Sequence, residues 1–229
     1  MSVLTSDLVD RYRRLDGASV SNAIETFELR LRNEGFADGR LRCLFPELPS
    51  VIGHAVTARI RCSTPPPVGH NYHDRTDWWN FIVSVPAPRI VVVQDVDEKP
   101  GLGAFVGDVH AEILKALGCA AFVTSGSVRD LEDVRRIGFQ LFAAGIAVSH
   151  AYAHIVDFGE PVEVGGLTVA TGDVVFGDCG GLVGVPSSIV ADVPAAAEQI
   201  RVKEEQIIAL CRSSAFSIDS LRALVRDLG

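Results

Sequence analysis

The sequence predicts an α/β fold with a partly parallel central sheet, flanking helices and a β-rich second half. Two solid apolar runs, Ile90–Val93 and Cys119–Thr124, are typical of strands covered on both faces. The helical pattern of Asp108–Leu117 lies between them, which predicts parallel strands joined by a right-handed crossover. After Gly145, short alternating segments separated by turn residues indicate further strands and hairpins.

The N-terminal part begins with two helical patterns and continues into one long strand. Thr5 or Ser6 can cap the first helix, because their hydroxyl oxygens accept hydrogen bonds from amides of the first turn. Three consecutive prolines exclude regular structure from the loop after the strand. The predicted elements are helices over residues 5–14 and Ser19–Leu29, a strand over Val51–Arg61, a loop over Thr64–Asp77 and a helix or turn from Trp78.

The middle of the chain alternates buried strands with short helices. Val109, Ile113, Leu114 and Leu117 form the predicted buried stripe of the Asp108–Leu117 helix. The predicted elements are a strand over Arg89–Val96, this helix, a strand over Cys119–Thr124, a turn at Ser125–Ser127, a helix over Asp130–Ile137 and a strand over Phe139–Ala143.

The last third of the chain returns from short strands to helices. The pair Gly165-Gly166 between two alternating segments predicts a β-hairpin. The predicted strands are Pro161–Val164, Leu167–Ala170, Asp173–Phe176 and Leu182–Val185, and the predicted helices are Ser187–Cys211 and Ser217–Leu228.

Composition and charge argue against several classes of function. With 229 residues, 48% of them apolar, the chain suits one large domain or a domain with a small appendage. The net charge of -8 repels phosphate backbones, so we expect no nucleic-acid partner, and the short basic clusters Arg11–Arg14 and Arg135–Arg136 are interpreted as solvated helix faces. Five scattered cysteines, no signal peptide and no membrane-spanning run predict a cytoplasmic protein with reduced thiols and no membrane partner.

A glycine-rich loop, Gly101–Gly107, follows a predicted strand and opens a helix. Amides at the start of a helix attract anions. The glycine spacing differs from the dinucleotide-binding pattern, and Asp108 would repel a pyrophosphate, so a nucleotide is disfavoured. A carboxylate fits the amides of Gly107–His110 better, whereas turn geometry alone explains Gly101 and Gly103.

Arg129 and Asp130 follow the next predicted strand, near the sheet edge where ligands of α/β proteins collect. The guanidinium of Arg129 can bind a carboxylate with two hydrogen bonds. Asp130 offers oxygen ligands suited to Mg²⁺ or Mn²⁺, and Asp108 adds a second carboxylate at this edge. The residues leave a second interpretation open, in which Arg129 and Asp130 make ordinary ion pairs and cap their helix.

Asp108, followed after twenty residues by Arg129-Asp130, resembles the signature of the 4-hydroxy-4-methyl-2-oxoglutarate aldolase family, also called the regulator of ribonuclease activity A-like (RraA-like) family. The similarity extends from about Ser19 to Glu205 and includes Val56–Arg59, Ala116–Gly118, Gly126–Asp130, Gly172–Val175, Gly177-Asp178, Val185-Pro186 and Lys203-Glu204. It implies one RraA-like domain over residues 1–229, with a swivelling β/β/α fold. The helical N-terminus would cover about 1–30, the α/β core about 50–186 and the C-terminal helices about 187–229.

The resemblance implies a metal-dependent carbon–carbon lyase, an aldolase or oxaloacetate decarboxylase acting on a small 2-oxo acid through a pyruvate enolate. Asp130 would bind a divalent cation directly, Mg²⁺ or alternatively Mn²⁺, and Asp108 would hold a water on it. Arg129 would bind the carboxylate and oxo group of a pyruvate-like moiety. Glu204 would come from a neighbouring subunit of a homotrimer or hexamer. The cradle for the substrate carboxylate would be the amides of Gly107, Asp108, Val109 and His110.

The histidines allow more than one interpretation. His110 stands where many family members carry a small or apolar residue; it could contact substrate, act as an acid–base group or be a partly exposed helix histidine. The pairs His70/His73 and His150/His154 have spacings compatible with zinc, without evident cysteine or carboxylate partners.

The competing functions are a non-catalytic regulator that binds a ribonuclease or helicase, and methyl transfer, which the glycine-rich loop supports poorly. The proposed pocket segments contain no lysine, which disfavours a Schiff-base aldolase.

Overall fold

The computed structural model describes residues 4–68 and 75–228, which form a mixed α/β fold. The helices are α1 (Ser6–Tyr12), α2 (Gly17–Glu25), α3 (Thr76–Ser84), α4 (Asp108–Ala116), α5 (Leu131–Ile137), α6 (Val193–Arg212) and α7 (Ile218–Leu228). The strands are β1 (Arg42–Cys43), β2 (Val51–Arg61), β3 (Arg89–Asp95), β4 (Ala104–Val106), β5 (Cys119–Val128), β6 (Gln140–Ile146), β7 (His154–Phe158), β8 (Val162–Val164), β9 (Leu167–Val169), β10 (Val174–Asp178) and β11 (Gly181–Val185).

Strands β2, β3, β5 and β6 form the parallel centre of a nine-stranded mixed sheet. The strand order is β1-β6-β5-β3-β2-β10-β11, and β1, β10 and β11 run antiparallel to their neighbours. In addition, β7 pairs antiparallel with β2, and β4 pairs parallel with β5. The four central strands all end on the same side of the sheet. We call this side the C-edge, and its strands end at Arg61, Asp95, Val128 and Ile146.

Helices cover one face of the parallel strands and a hairpin covers the other. On the first face, Trp78 of α3 and Leu114 of α4 are fully buried in a cluster that includes Phe122 of β5. The β8–β9 hairpin packs on the second face through Val164 and its neighbours. A third cluster joins α1, α2 and the start of α6 to β10 and β11. This layering leaves the C-edge uncovered by helices.

The predicted fold class is confirmed, and the predicted helices differ from the observed ones mainly at their ends. Thr5 caps α1, since its Oγ1 accepts the Leu8 N–H at 3.3 Å. α2 starts earlier than predicted because Asp16 is its cap and accepts the Ser19 N–H at 2.7 Å. The structure also contains β1, β4 and β7, which are absent from the predicted set. β1 and β4 have only two and three residues, too few to show an alternating pattern.

The turn predicted at Ser125–Ser127 is wrong, because β5 continues through these residues to Val128. Its register with β6 shifts between Thr124 and Ser127. The hydroxyls replace part of the lost strand pairing: Ser125 Oγ accepts the Asp95 N–H at 3.0 Å, and Ser127 Oγ donates to the Gly101 carbonyl at 2.9 Å. Residues that are typical of turns therefore form an irregular strand end at the C-edge.

Within residues 4–68 and 75–228, no helix combines the length and the apolar character that a membrane crossing requires. All five cysteines are free thiols, as predicted, with Cys62 and Cys119 buried and Cys179 and Cys211 exposed.

Candidate active site

β4 leads the chain to the start of α4 at the C-edge. It pairs with the end of β5, and Val106 lies opposite Val128. Gly107 is the N-cap of α4 and has an extended backbone, with φ −125° and ψ −161°. Its carbonyl accepts the Ala111 N–H at 2.9 Å. The first amides of α4, which have no partner inside the helix, therefore lie beside the end of β5.

Asp130 connects β5 to α5 in a strained conformation. Its φ of 53° and ψ of 40° are left-handed values. Its carbonyl accepts the N–H groups of Asp133 and Val134, but its side chain makes no capping hydrogen bond. This backbone conformation costs a non-glycine residue about 1 kcal/mol, and such strain is concentrated at functional sites. The interpretation that the Asp130 carboxylate caps its helix is wrong, whereas the ion pair that the same interpretation expects is present between Arg129 and Asp130.

Gly107, Asp108, Arg129 and Asp130 converge at one point of the C-edge. Asp130 Oδ2 lies 3.4 Å from the Asp108 amide nitrogen and 3.2 Å from Arg129 Nε. A Cβ on Gly107 would lie 2.2 Å from the same oxygen, so a larger residue would displace the carboxylate. The side chains of Arg129 and Asp130 remain 36% and 35% exposed, respectively, which leaves both open to a ligand.

Carboxylates of the protein itself lie on the first amides of α4. The Val109 N–H donates to Asp108 Oδ1 at 2.7 Å, and the Asp108 N–H points to Asp130 Oδ2. This arrangement illustrates the preference of a helix start for negative charge. A ligand carboxylate bound at these amides would have to replace one of the two aspartate side chains.

The buried face of α4 differs from the predicted stripe. Val109 was expected in the core, yet it is 68% exposed, whereas His110 is buried together with Ala111 and Leu114. The predicted stripe is right at Leu114, which is fully buried, and wrong at Val109, because counting His110 as polar assigned the buried position to its neighbour. The interpretation of His110 as a partly exposed histidine is wrong for the same reason.

The His110 ring is held between β4 and α4. Its Nδ1 lies 3.1 Å from the Phe105 carbonyl oxygen, and because a carbonyl only accepts, Nδ1 carries the proton. The ring also packs edge-on against the Phe105 ring, with 4.9 Å between the centroids. Burial lowers the pKa of His110 to about 4. The side chain is therefore neutral at pH 7 and is poorly placed for acid–base chemistry on a bound substrate.

The other predicted residues lie outside this convergence. Glu204 is on the exposed surface of α6, a helix that packs mainly on α2 and α7. His150 and His154 each place Nδ1 within 2.8 Å of a backbone carbonyl of their own segment, so these nitrogens serve as local donors. His70 and His73 lie outside the described residues.

A second group of polar side chains, which the sequence interpretation missed, lies elsewhere on the C-edge. One ligand atom each from Cys62, Asp95 and Asp97 falls within 4.8 Å of the others, and this is the one three-residue group with metal-ligand spacing in the described part of the chain. The signal was available, because Asp95 and Asp97 directly follow the buried run of β3.

The contacts of this group show that it anchors the glycine-rich loop. Asp95 Oδ2 accepts the Gly101 N–H at 2.7 Å, and Asp97 Oδ2 accepts the Cys62 and Ser63 N–H groups at 2.8 Å. Burial raises the pKa of the Cys62 thiol to about 12, so the free thiol is protonated at neutral pH. The carboxylates therefore hold the loop that leads into β4.

The comparison with protein families identifies the class of this protein. The family model RraA-like (Aldolase/RraA) matches residues 5–183, so the chain belongs to the RraA-like family. An uncharacterized protein from Methanocaldococcus jannaschii is 26% identical over 160 residues, which cover 69% of this chain and 71% of the relative.

Two further relatives indicate the range of functions named within the family. A putative 4-hydroxy-4-methyl-2-oxoglutarate aldolase from Halalkalibacterium halodurans is 27% identical over 44% of this chain and 49% of its own length. The crystal structure of Streptomyces coelicolor RraAS2, described as an unusual member of the RNase ES inhibitor RraA protein family, superposes with a TM-score of 0.68 at 23% identity. That match covers 90% of this chain and 97% of RraAS2. The family thus includes proteins named as aldolases and proteins named as ribonuclease inhibitors.

Proposed function

We propose that the protein is a divalent-metal-dependent lyase that cleaves a carbon–carbon bond of a small 2-oxo acid. The contact between Gly107 and the Asp130 carboxylate carries the proposal. It is supported by the left-handed backbone of Asp130 and by the adjacent Arg129 guanidinium. A surface ion pair needs neither a strained backbone nor a glycine packed against its carboxylate, whereas a preorganised site has a use for both.

The residues present fit a hard cation at Asp130. Mg²⁺ typically takes one or two carboxylates and keeps several waters, and Asp130 is accessible from solvent with Asp108 beside it. Asp130 would bind the cation, and Asp108 would orient a water on it. When bound, the cation would stabilise the negative charge that develops on the substrate's 2-oxo oxygen. Mn²⁺ has the same ligand preferences and is the alternative.

Arg129 and the start of α4 would bind and orient the substrate. The guanidinium offers a planar fork for the carboxylate and 2-oxo oxygens, and the amides near Gly107 would take the remaining carboxylate oxygen. The bond between C3 and C4 of the substrate then breaks, and its electron pair passes to the enolate of pyruvate. A 4-hydroxy-2-oxo acid loses its hydroxyl proton and releases a carbonyl compound, whereas oxaloacetate releases CO₂. Protonation at C3 completes pyruvate in both cases.

Pyruvate release tests this function directly. The protein should release pyruvate from oxaloacetate and from 4-hydroxy-4-methyl-2-oxoglutarate in the presence of Mg²⁺, and a chelator should abolish the release. The competing function is that of a non-catalytic regulator, which the ribonuclease-inhibitor relatives motivate. Tight binding to a ribonuclease, together with no metal-dependent turnover of either acid, would favour the regulator and rule out the lyase.

We further propose that a second copy of the chain covers the C-edge, as part of a trimer or hexamer. Large apolar side chains around the candidate site are exposed to an extent that an isolated chain does not favour. Val148 is 98% exposed, and the same surface includes Leu102, Val109, Ile146 and Tyr152, each more than half exposed. A subunit on this surface would exclude water from the site and would provide the neighbouring Glu204.

Mixing of inactive subunits tests the shared site. Arg129→Ala and Glu204→Gln should each be inactive as pure proteins, and co-refolded mixtures should regain activity, because some sites would combine an intact Arg129 with an intact Glu204. A mixture of Arg129→Ala with Asp130→Asn is the matched control and should stay inactive, since both residues come from the same chain. Absence of recovery in the first mixture, with mixed oligomers verified by mass spectrometry, would contradict a role for Glu204 across the interface.

A further inference from the structure

The short segment from Phe105 through His110 contains all the amides that are proposed to bind the substrate carboxylate. β4 is only three residues long and pairs with β5 in an irregular register; the carbonyl of its last residue, Val106, accepts the Arg129 N–H at 3.0 Å, and the strand ends there. The His110 Nδ1–H donates to the Phe105 carbonyl at 3.1 Å and joins the middle of β4 to the first turn of α4. This hydrogen bond closes a loop that encloses Gly107, Asp108 and Val109.

The His110 ring has little freedom to move. It is buried, it packs edge-on against the Phe105 ring, and Phe105 in turn stacks on Phe122 of β5 at 6.2 Å between centroids. The donor is therefore fixed relative to the central sheet. An apolar residue of similar volume would fill the same space without donating to the Phe105 carbonyl.

We infer that His110 is a positioning residue: its ring fixes the β4–α4 junction and thereby sets the directions of the Gly107, Asp108 and Val109 amides. This inference rests on the proposed function for its effect on substrate, but its effect on the junction is independent of any activity. The His110 side chain does not need to touch the substrate, because it is buried in the core. The carboxylate cradle thus depends on a residue that lies beneath it.

Two variants and one control separate positioning from general packing. His110→Leu removes the donor and keeps an apolar side chain of related size. His110→Asn keeps an N–H donor at the same distance along the side chain as Nδ1. Leu114→Ala, one turn further along the same buried face, removes packing without touching the Phe105 hydrogen bond. Each variant is compared after its global stability has been measured by urea unfolding.

Hydrogen–deuterium exchange of the peptide covering residues 104–112 measures directly how well the amides of the β4–α4 junction are protected. His110→Leu should raise exchange of this peptide about tenfold relative to the rest of the protein, and His110→Asn should restore it to within about threefold of wild type. Leu114→Ala should raise exchange in proportion to its global destabilisation only. Equal exchange profiles for His110→Leu and Leu114→Ala at matched stability would overturn the inference, and so would a failure of asparagine to restore protection.

The kinetics of oxaloacetate decarboxylation with Mg²⁺ measure the effect of each variant on the substrate. His110→Leu should raise KM about tenfold and change kcat by less than about threefold, because the cradle contacts the carboxylate before and during the reaction. Leu114→Ala should leave KM near the wild-type value. An unchanged KM in His110→Leu would overturn the link to the substrate. A wild-type protein without turnover would refute the proposed function alone, since the exchange measurement would still decide the role of His110 in the junction.

Discussion

Replacing Gly107 by alanine perturbs the candidate site at its most crowded point. The backbone of Gly107 is extended, so alanine adopts its φ and ψ without strain. The new methyl carbon would lie 2.2 Å from Asp130 Oδ2 and 3.1 Å from Arg129 Nε. Ordinary carbon–oxygen contact requires about 3.2 Å or more, so the carboxylate must move by about 1 Å. Because Asp130 is partly exposed, its side chain can rotate away at little cost to the fold.

The expected result is a large loss of activity with a small loss of stability. A displacement of about 1 Å at a catalytic centre costs on the order of 100-fold in rate. We therefore expect kcat/KM for oxaloacetate decarboxylation to fall about 100-fold and the apparent affinity for Mg²⁺ to weaken. The free energy of unfolding should change by less than about 1 kcal/mol, as is usual for surface positions. Steady-state pyruvate release and urea unfolding measure the two quantities.

Gly138→Ala is the matched control, because there the added methyl group strains the backbone and crowds no neighbouring atom. Gly138 has a φ of +69°, which alanine adopts only with strain, and no atom lies within 4 Å of its would-be Cβ. This variant should lose about 1 kcal/mol of stability and keep wild-type activity. Wild-type activity in Gly107→Ala, or equal loss of activity in both variants, would refute the assignment of Gly107 and Asp130 to one site.

Three further predictions concern the charge, the geometry and the pH response of this region. Asp130→Asn, which keeps the side-chain volume and tolerates the left-handed backbone, should reduce Mg²⁺-stimulated decarboxylation at least about 100-fold with unchanged circular dichroism; retained stimulation would remove Asp130 as a ligand. Arg129→Lys should lower kcat/KM about 10- to 100-fold, since an ammonium keeps the charge and loses the planar fork; full activity in steady-state assays would show that charge alone suffices. The pKa of His110 is about 4 in the native state, below its unfolded value near 6.5, so the unfolded chain takes up the proton first as the pH falls. The free energy of unfolding should therefore fall by up to about 3 kcal/mol between pH 6.5 and pH 4. In His110→Asn, urea unfolding should show a smaller fall of this free energy over the same pH range.

The sequence predicts the parallel centre of the sheet well because its strands are long and solidly apolar. Ile90–Val93 and Cys119–Thr124 are buried on both faces, and the pattern leaves little choice of structure. The continuation of β5 through Ser125–Ser127 could not be predicted, because it depends on hydrogen bonds to Asp95 and Gly101 from distant parts of the chain. Local propensity favours a turn there, and tertiary hydrogen bonds override it.

The candidate site, like the fold, could be predicted from the sequence only in part. Its residues could be chosen from the sequence, since Asp108 and Arg129-Asp130 each follow a predicted strand. The distances between them in three dimensions could not be predicted, because the approach of Asp130 to Gly107 depends on the left-handed backbone of Asp130. The interpretation of His110 as partly exposed is wrong because a histidine is usually counted as polar when the buried face of a helix is assigned. Here a carbonyl acceptor at Phe105 satisfies Nδ1 and allows the ring into the core.

Exchange of the methyl protons of pyruvate tests the central proposal most directly, because it needs the enolate and no carbon–carbon bond cleavage. Pyruvate incubated in D₂O with the protein and Mg²⁺ should incorporate deuterium at C3, which proton NMR detects as loss of the methyl signal. A chelator, Asp130→Asn and Gly107→Ala should each slow this exchange to near the uncatalysed rate. Exchange at the uncatalysed rate with wild-type protein at saturating pyruvate and Mg²⁺ would contradict the proposed enolate chemistry.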